Sequence, residues 1–241
     1  MVAQQLLTRW TAICDSLRRG ARVVRYAADR LWHRQRQRVA GRRLERLRPR
    51  SVLVVCHGNL CRSPYAEHRL RALLPGGPRR NVTIASAGFL AAGHVPPANA
   101  VLAAAGLGID LTGHRSRQLS AELIRGADLV LVMEPEQRHA ILSVHRRSAA
   151  TIMLLGDFDP EPISTRAIPD PYGRSVEAFV AVYRRIDRCV AVAARALGAA
   201  PWRRTPRPTE VSTGAVEGQP VYRGGWAGRF GESNAAAPEP Q

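Results

Sequence analysis

Apolar positions along the chain change period several times, and each change marks an element. Over residues 1–50, Leu6, Leu7, Trp10, Ile13, Cys14, Leu17, Val24, Ala28 and Leu31 recur mostly three or four positions apart, with arginines filling much of the other face. That spacing predicts helix, and Arg48-Pro49-Arg50 closes it. Beyond residue 50 the pattern alternates. Val52-Leu53-Val54-Val55 is a short β-branched run of the kind that suits a parallel strand buried on both faces. A glycine-containing turn follows, Pro64 stands where a helix can begin, and Ala66 to Leu74 reads as that helix. Further strands are predicted over 81–85, 129–133 and 151–155, and further helices over 98–105, 134–144 and 175–197. Strands alternating with helices predict an α/β fold, a doubly wound three-layer sandwich around a four-stranded parallel sheet. Residues 201–241 mix Pro, Gly, Thr, Ser and Ala without apolar period, the composition of a disordered tail. The chain therefore divides into a basic helical extension over 1–50, an α/β domain over 51–200, and a tail.

Charge changes the picture only at the N-terminus. The formal net charge is +17, and every basic residue is arginine. Residues 1–50 hold 14 arginines against 3 acids, so the basicity is mainly theirs. Two readings stay open for that segment. It is a solvated basic helix, or it docks on an anionic membrane or an acidic partner through Trp10, Trp32 and its leucines. No groove-reading motif points to specific nucleic acid. The four cysteines, Cys14, Cys56, Cys61 and Cys189, form neither a disulfide framework nor paired zinc-binding spacings. A reducing, cytoplasmic setting is expected, peripheral to the inner face of the membrane if the extension docks there. No apolar run reaches the roughly 18 residues of a membrane span.

Candidate chemistry lies in Cys56-His57-Gly58-Asn59-Leu60-Cys61-Arg62-Ser63-Pro64. Cys-x5-Arg alone means little in so arginine-rich a chain, and Cys189 to Arg195 repeats it inside an alanine-rich helix, where Cys189 reads as core. Context separates the two. Cys56 directly follows a strand, Gly58 and Asn59 tolerate positive φ, and a helix begins just beyond. Such a loop points its backbone N–H groups inward as an anion-binding nest, and the helix dipole adds to it. The nest cradles a phosphoryl group and favours a thiolate at its rim. Arg62 offers a bidentate fork to two phosphoryl oxygens, and Ser63 offers a hydrogen bond to the Cys56 sulfur. Thiolate attack on phosphorus would give a thiophosphoryl intermediate that water then hydrolyses. A leaving phenolate would need an acid. Asp170, in Ile168-Pro169-Asp170-Pro171-Tyr172-Gly173, is the first candidate, because loops at the carboxyl ends of parallel strands share one face. Asp159 is the second and Asp157 the third. No metal site and no cofactor are expected. The Tyr183-Arg184-Arg185 stretch reads as a solvated helix face.

At these residues the sequence resembles the low-molecular-weight protein tyrosine phosphatase family, over about residues 51–198. The cysteine loop, the Asp170-Pro171-Tyr172 loop, Ser86-Ala87-Gly88 and Thr112 to Gln118 fit it in type, order and separation. The resemblance implies a flavodoxin-like strand order and a phosphotyrosine protein as substrate. It implies that Asn59, Ser86 and His114 hold the loop in shape, and that Tyr172 lines the cleft. It also implies that Cys61 traps an oxidised Cys56 as a reversible disulfide. The domain looks closest to bacterial members, which implies a tyrosine autokinase of exopolysaccharide export as a possible counterpart. Two places depart from the family pattern: Gly173 stands where some members carry a second tyrosine, and the loop from Phe89 to Val95 differs from eukaryotic members. Three alternatives share the fold. An arsenate reductase would need two further cysteines, and only Cys189 remains in the domain. A protein-arginine phosphatase would carry threonine where Leu60 stands. A catalytically silent phosphate-binding module would need no acid.

Overall fold

The computed structural model describes residues 30–74, 82–145 and 151–198. The helical reading of residues 1–29, with Trp10 and Cys14, and the tail reading of 201–241 lie outside the described residues. Helix α1 spans 30–47. There follow β1 (Ser51–Cys56), α2 (Arg62–Leu73), β2 (Thr83–Gly88), α3 (Ala98–Ala105), α4 (Ala121–Gly126), β3 (Leu129–Val132), α5 (Pro135–His145), β4 (Ile152–Leu154), a 3-10 turn (Leu155–Phe158) and α6 (Val176–Ala196). The four strands form one parallel sheet in the order β2-β1-β3-β4, the flavodoxin-like order.

Strand periodicity divides the core in two. Val52, Val54, Leu129, Leu131 and Met153 face one side and pack with α2, α3 and α6. Leu53, Val55, Val130, Val132, Ile152 and Leu154 face the other and pack with Ile124 of α4 and Ile141 of α5. Both faces are covered, which is why the strands read as unbroken apolar runs rather than alternating ones.

Two elements differ from the sequence pattern. Strand β2 runs on through Ser86-Ala87-Gly88, because β1 pairs with it residue for residue up to Cys56 opposite Gly88. Helix α4 has no predicted counterpart. It is a single short stretch fixed at its start by Ser120, whose Oγ accepts from the Leu123 N–H at 3.2 Å.

The solvated reading of Tyr183 and Arg185 is corrected. Tyr183 lies on the buried stripe of α6 with Phe179, Ile186 and Val190, and its ring stacks on Tyr65 at 3.9 Å. Its hydroxyl donates to the Cys61 carbonyl at 3.4 Å. Arg185 is folded onto Asp159 and the chain that leads to Asp170. Arg184 alone of the three is exposed.

Helix α1 is packed rather than free. Ala40 and Leu44 are buried in the core cluster that also holds Val52 and Val54, and Leu47 packs against it. His33 is buried too, and its Nε2–H donates to the Asp159 carbonyl at 2.7 Å. Leu31, Trp32 and Val39 remain exposed. Leu44→Ala is expected to cost about 3 kcal/mol, the usual toll for a fully buried leucine. Denaturant unfolding of the full chain measures it. A loss under about 0.5 kcal/mol would mean that α1 adds nothing to the fold.

Candidate active site

The loop between β1 and α2 is shaped by one asparagine. Asn59 has φ 53° and is fully buried. Its Nδ2 donates to Ser63 Oγ at 2.9 Å and to Ser86 Oγ at 2.8 Å. Its Oδ1 accepts the Arg117 backbone N–H at 2.8 Å, which fixes the orientation of the amide. The His114 Nε2–H donates to the Asn59 carbonyl at 2.8 Å. Burial lowers the His114 pKa against that hydrogen bond, so the neutral ring with its proton on Nε2 is favoured. Asn59 thus joins the loop to β2 and to the stretch over 112–118.

Gly88 completes the fit. A Cβ there would lie 2.6 Å from the Asn59 nitrogen and 2.8 Å from the His57 carbonyl oxygen, both backbone. Only glycine lets β2 pass so close behind the loop. The Phe89 N–H donates to that His57 carbonyl at 2.7 Å.

Cys56 ends β1 and is buried. Ser63 Oγ donates to its sulfur at 3.0 Å. Because Ser63 Oγ accepts from Asn59, its own proton is left for the sulfur. Helix α2 then begins at Arg62, with no side-chain cap and no acidic residue in its first turn. Its first N–H groups and the positive end of its dipole are therefore left for an anion. Cys61 is buried, and burial, with Cys56 and Asp170 nearby, pushes its thiol pKa well up.

Arg62 is buried beneath this loop and gathers two further segments. Nη1 donates to a Glu134 carboxylate oxygen and, at 2.9 Å, to the Ile168 carbonyl. Nη2 donates to Asp170 Oδ2 at 2.5 Å. Burial disfavours the cation, but Cys56, Asp170 and Glu134 outweigh it and its pKa is raised. Nε is buried with no acceptor among the described residues. Asp170 is over a third exposed, and its Oδ1 accepts the Tyr172 N–H at 3.3 Å. Tyr172 is about half exposed at 48%. Around Gly58, a Cβ would meet Leu60 at 3.4 Å and Leu90 at 3.5 Å, so two leucine side chains both lie against the loop at Gly58.

Of the three acids weighed from sequence, only Asp170 meets the loop. Asp159 is fully buried between Arg185 and Arg188. Asp157 is paired with Arg166 at 2.7 and 2.6 Å. Neither is free to serve as an acid, and both assignments are withdrawn. Glu134 was missed. It stands two residues beyond the end of β3, at the carboxyl edge of the sheet where the Cys56 loop also lies, and that position was its signal. Gln137 steadies it, donating to Glu134 Oε1 at 3.2 Å while accepting from the Met133 N–H at 3.0 Å.

Residues 51–200 match the model of the low molecular weight phosphotyrosine protein phosphatase family. The chain belongs to that family. The protein-tyrosine-phosphatase Wzb of Salmonella typhi is 41% identical over 150 residues, covering 61% of this chain and 94% of that one. The protein-tyrosine-phosphatase Etp of Escherichia coli K12 is 38% identical over 146 residues, covering 60% and 93%. Among solved structures, Vibrio vulnificus Wzb in complex with benzylphosphonate matches with TM-score 0.53 at 37% identity, over 60% of this chain and 97% of that one. These low-molecular-weight phosphatases align along nearly their whole length, and the family match begins at residue 51, after α1.

Proposed function

We propose that this chain is a protein-tyrosine phosphatase that works through a phosphocysteine, with Cys56, Arg62 and Asp170 as its catalytic groups. The observation that carries the reading is the meeting of Asp170 with Arg62, since the two are far apart in sequence yet 2.5 Å apart in space. The Cys56 thiolate attacks phosphorus as the phosphorus–oxygen bond to tyrosine breaks. Asp170 gives its proton to the leaving phenolate oxygen. Water then attacks the phosphocysteine, Asp170 takes its proton, and phosphate leaves with Cys56 again a thiolate. Ser63 supports the sulfur as nucleophile and as leaving group. The loop N–H groups of His57, Gly58, Asn59, Leu60 and Cys61, the start of α2 and Arg62 hold the phosphoryl oxygens. The unpartnered Arg62 Nε supplies one such donor.

Leu60 and Leu90 offer an apolar wall to a flat ring, and Tyr172 offers a second surface. That favours phosphotyrosine over phosphoarginine. An arsenate reductase is disfavoured because Cys189 is fully buried in α6 and burial raises its thiol pKa, so it makes a poor relay thiol. We place the substrate among cytoplasmic phosphotyrosine proteins, with a tyrosine autokinase of exopolysaccharide export as the kinase it opposes. No helix among the described residues is long and apolar enough to cross a membrane.

The test is phosphate release by the reduced full chain, with EDTA present, from matched phosphotyrosine, phosphoserine and phosphoarginine peptides. Release from phosphotyrosine alone is expected. Faster release from phosphoarginine would overturn the substrate assignment.

A further inference from the structure

The general acid stands on a stretch of chain that α6 holds, and the residue that anchors that hold is gripped from outside the family domain. Arg185 of α6 spends its donors there: Nη1 on the Ala167 carbonyl at 2.9 Å and Nη2 on the Thr165 carbonyl at 2.6 Å. Its Nε binds Asp159 Oδ2 at 3.0 Å. Asp159 is held in turn. Arg188 Nε reaches Asp159 Oδ1 at 3.2 Å. The Asp159 carbonyl accepts the His33 Nε2–H at 2.7 Å and Gln37 Nε2 at 3.2 Å, both from α1. The floor of this stretch is as tight. A Cβ on Gly156 would sit 2.0 Å from the Arg166 carbonyl oxygen, so glycine alone lets the chain pass.

We propose, resting on the assignment of Asp170 as the general acid, that α1 is a working part of this phosphatase: through Asp159 it braces Arg185, which positions the acid loop. Arg185 touches no reacting atom. It fixes carbonyls just ahead of Ile168, whose own carbonyl accepts from Arg62, and of Asp170 beyond it. His33 and Gln37 precede residue 51, where the family match begins, so this chain adds a support that the family domain does not itself contain. Proton donation depends steeply on the placement of the donor, so a loosened loop loses rate in proportion to how much the leaving group needs a proton.

The experiment compares kcat/KM for phenyl phosphate, a poor leaving group, with that for 2,4-dinitrophenyl phosphate, a good one. Both are measured on one sample, so the ratio does not depend on how much of a variant is folded. Arg185→Ala is expected to lower the phenyl phosphate value about tenfold and the other by far less, with Arg185→Lys between it and wild type. The variant carrying both His33→Ala and Gln37→Ala should show a smaller bias of the same sign, and it carries the test if Arg185→Ala fails to fold. On an Asp170→Ala background neither change should move the ratio further. Equal losses on both substrates, or a further shift without Asp170, would overturn the proposal. A bias in Arg185→Ala with none in the α1 variant would remove α1 from it. If Asp170→Ala shows no bias, the acid assignment falls and this inference with it. If Asp170→Ala is biased and Arg185→Ala is not, the inference alone falls.

Discussion

Cys56→Ser is expected to lower turnover of a phosphotyrosine peptide by roughly 10⁴-fold or more, as loss of a nucleophile does elsewhere. The hydroxyl that replaces the thiol is not ionised near pH 7 and attacks phosphorus poorly. No other described group stands ready in its place. Cys61 is the nearest thiol in sequence, but burial above all, and Asp170 nearby, still push its thiol pKa up once Cys56 is gone. Binding should survive the change. The loop's shape rests on Asn59, with its bonds to Ser63, Ser86, Arg117 and His114, and none of these passes through the sulfur. The Arg62 fork rests on Glu134 and the Ile168 carbonyl, again apart from Cys56. A non-reacting phosphate analogue such as inorganic phosphate or benzylphosphonate should therefore bind Cys56→Ser within about tenfold of wild type. Calorimetry on the variant reads it directly. Lost turnover with lost binding would mean that Cys56 shapes the loop, and its assignment as nucleophile would then need separate proof.

The cysteine loop was legible because its chemistry is local. A nest at a helix start is built from consecutive residues, so Gly58, Asn59 and the strand before them suffice to predict it. Asp170 was legible for a different reason: in a parallel sheet the carboxyl-end loops converge, so a Pro-flanked acid after the last strand is already near the site. Sequence ranked Asp170 ahead of Asp159 and Asp157 but could not exclude the other two. All three follow β4, and only tertiary pairing decides among them. Arg166 takes the first, Arg185 and Arg188 take the second, and Arg62 takes the third. Glu134 was invisible for the same reason, since its importance lies in Arg62, far away along the chain.

The extension shows the limit of reading composition. An excess of arginine over 1–50 suggested a face for solvent, a membrane or an acidic partner, and that balance is real. Yet the residues that fix α1 to the domain include a narrow stripe, His33, Gln37, Ala40, Leu44 and Leu47. They are spaced about one helical turn apart, and among so many arginines that stripe is too thin to stand out. Arg185 misled in the same way. Read alone it is a charged residue on a helix surface, but its long side chain carries the guanidinium over to carbonyls of another segment.

Asp170→Ala is the second large effect, and its size should depend on the substrate. The phenol of tyrosine ionises with a pKa of about 10, so at neutral pH it leaves badly as an anion and gains much from a proton. Positioned general acids contribute about 10²- to 10⁴-fold, and kcat/KM for a phosphotyrosine peptide should fall by an amount in that range. A dinitrophenolate leaves readily without help, so 2,4-dinitrophenyl phosphate should lose about tenfold or less. Phosphate affinity should change little, because Arg62 keeps Glu134 and the Ile168 carbonyl when Asp170 is gone. Removing one carboxylate from beside Arg62 also leaves more of its positive charge for a bound anion, so any change in affinity should be a gain. The outcome separates two roles that the geometry joins. An acid placed for the leaving group gives a loss graded by leaving-group pKa. A carboxylate that only holds Arg62 in place gives one equal loss for both substrates, together with weaker phosphate binding.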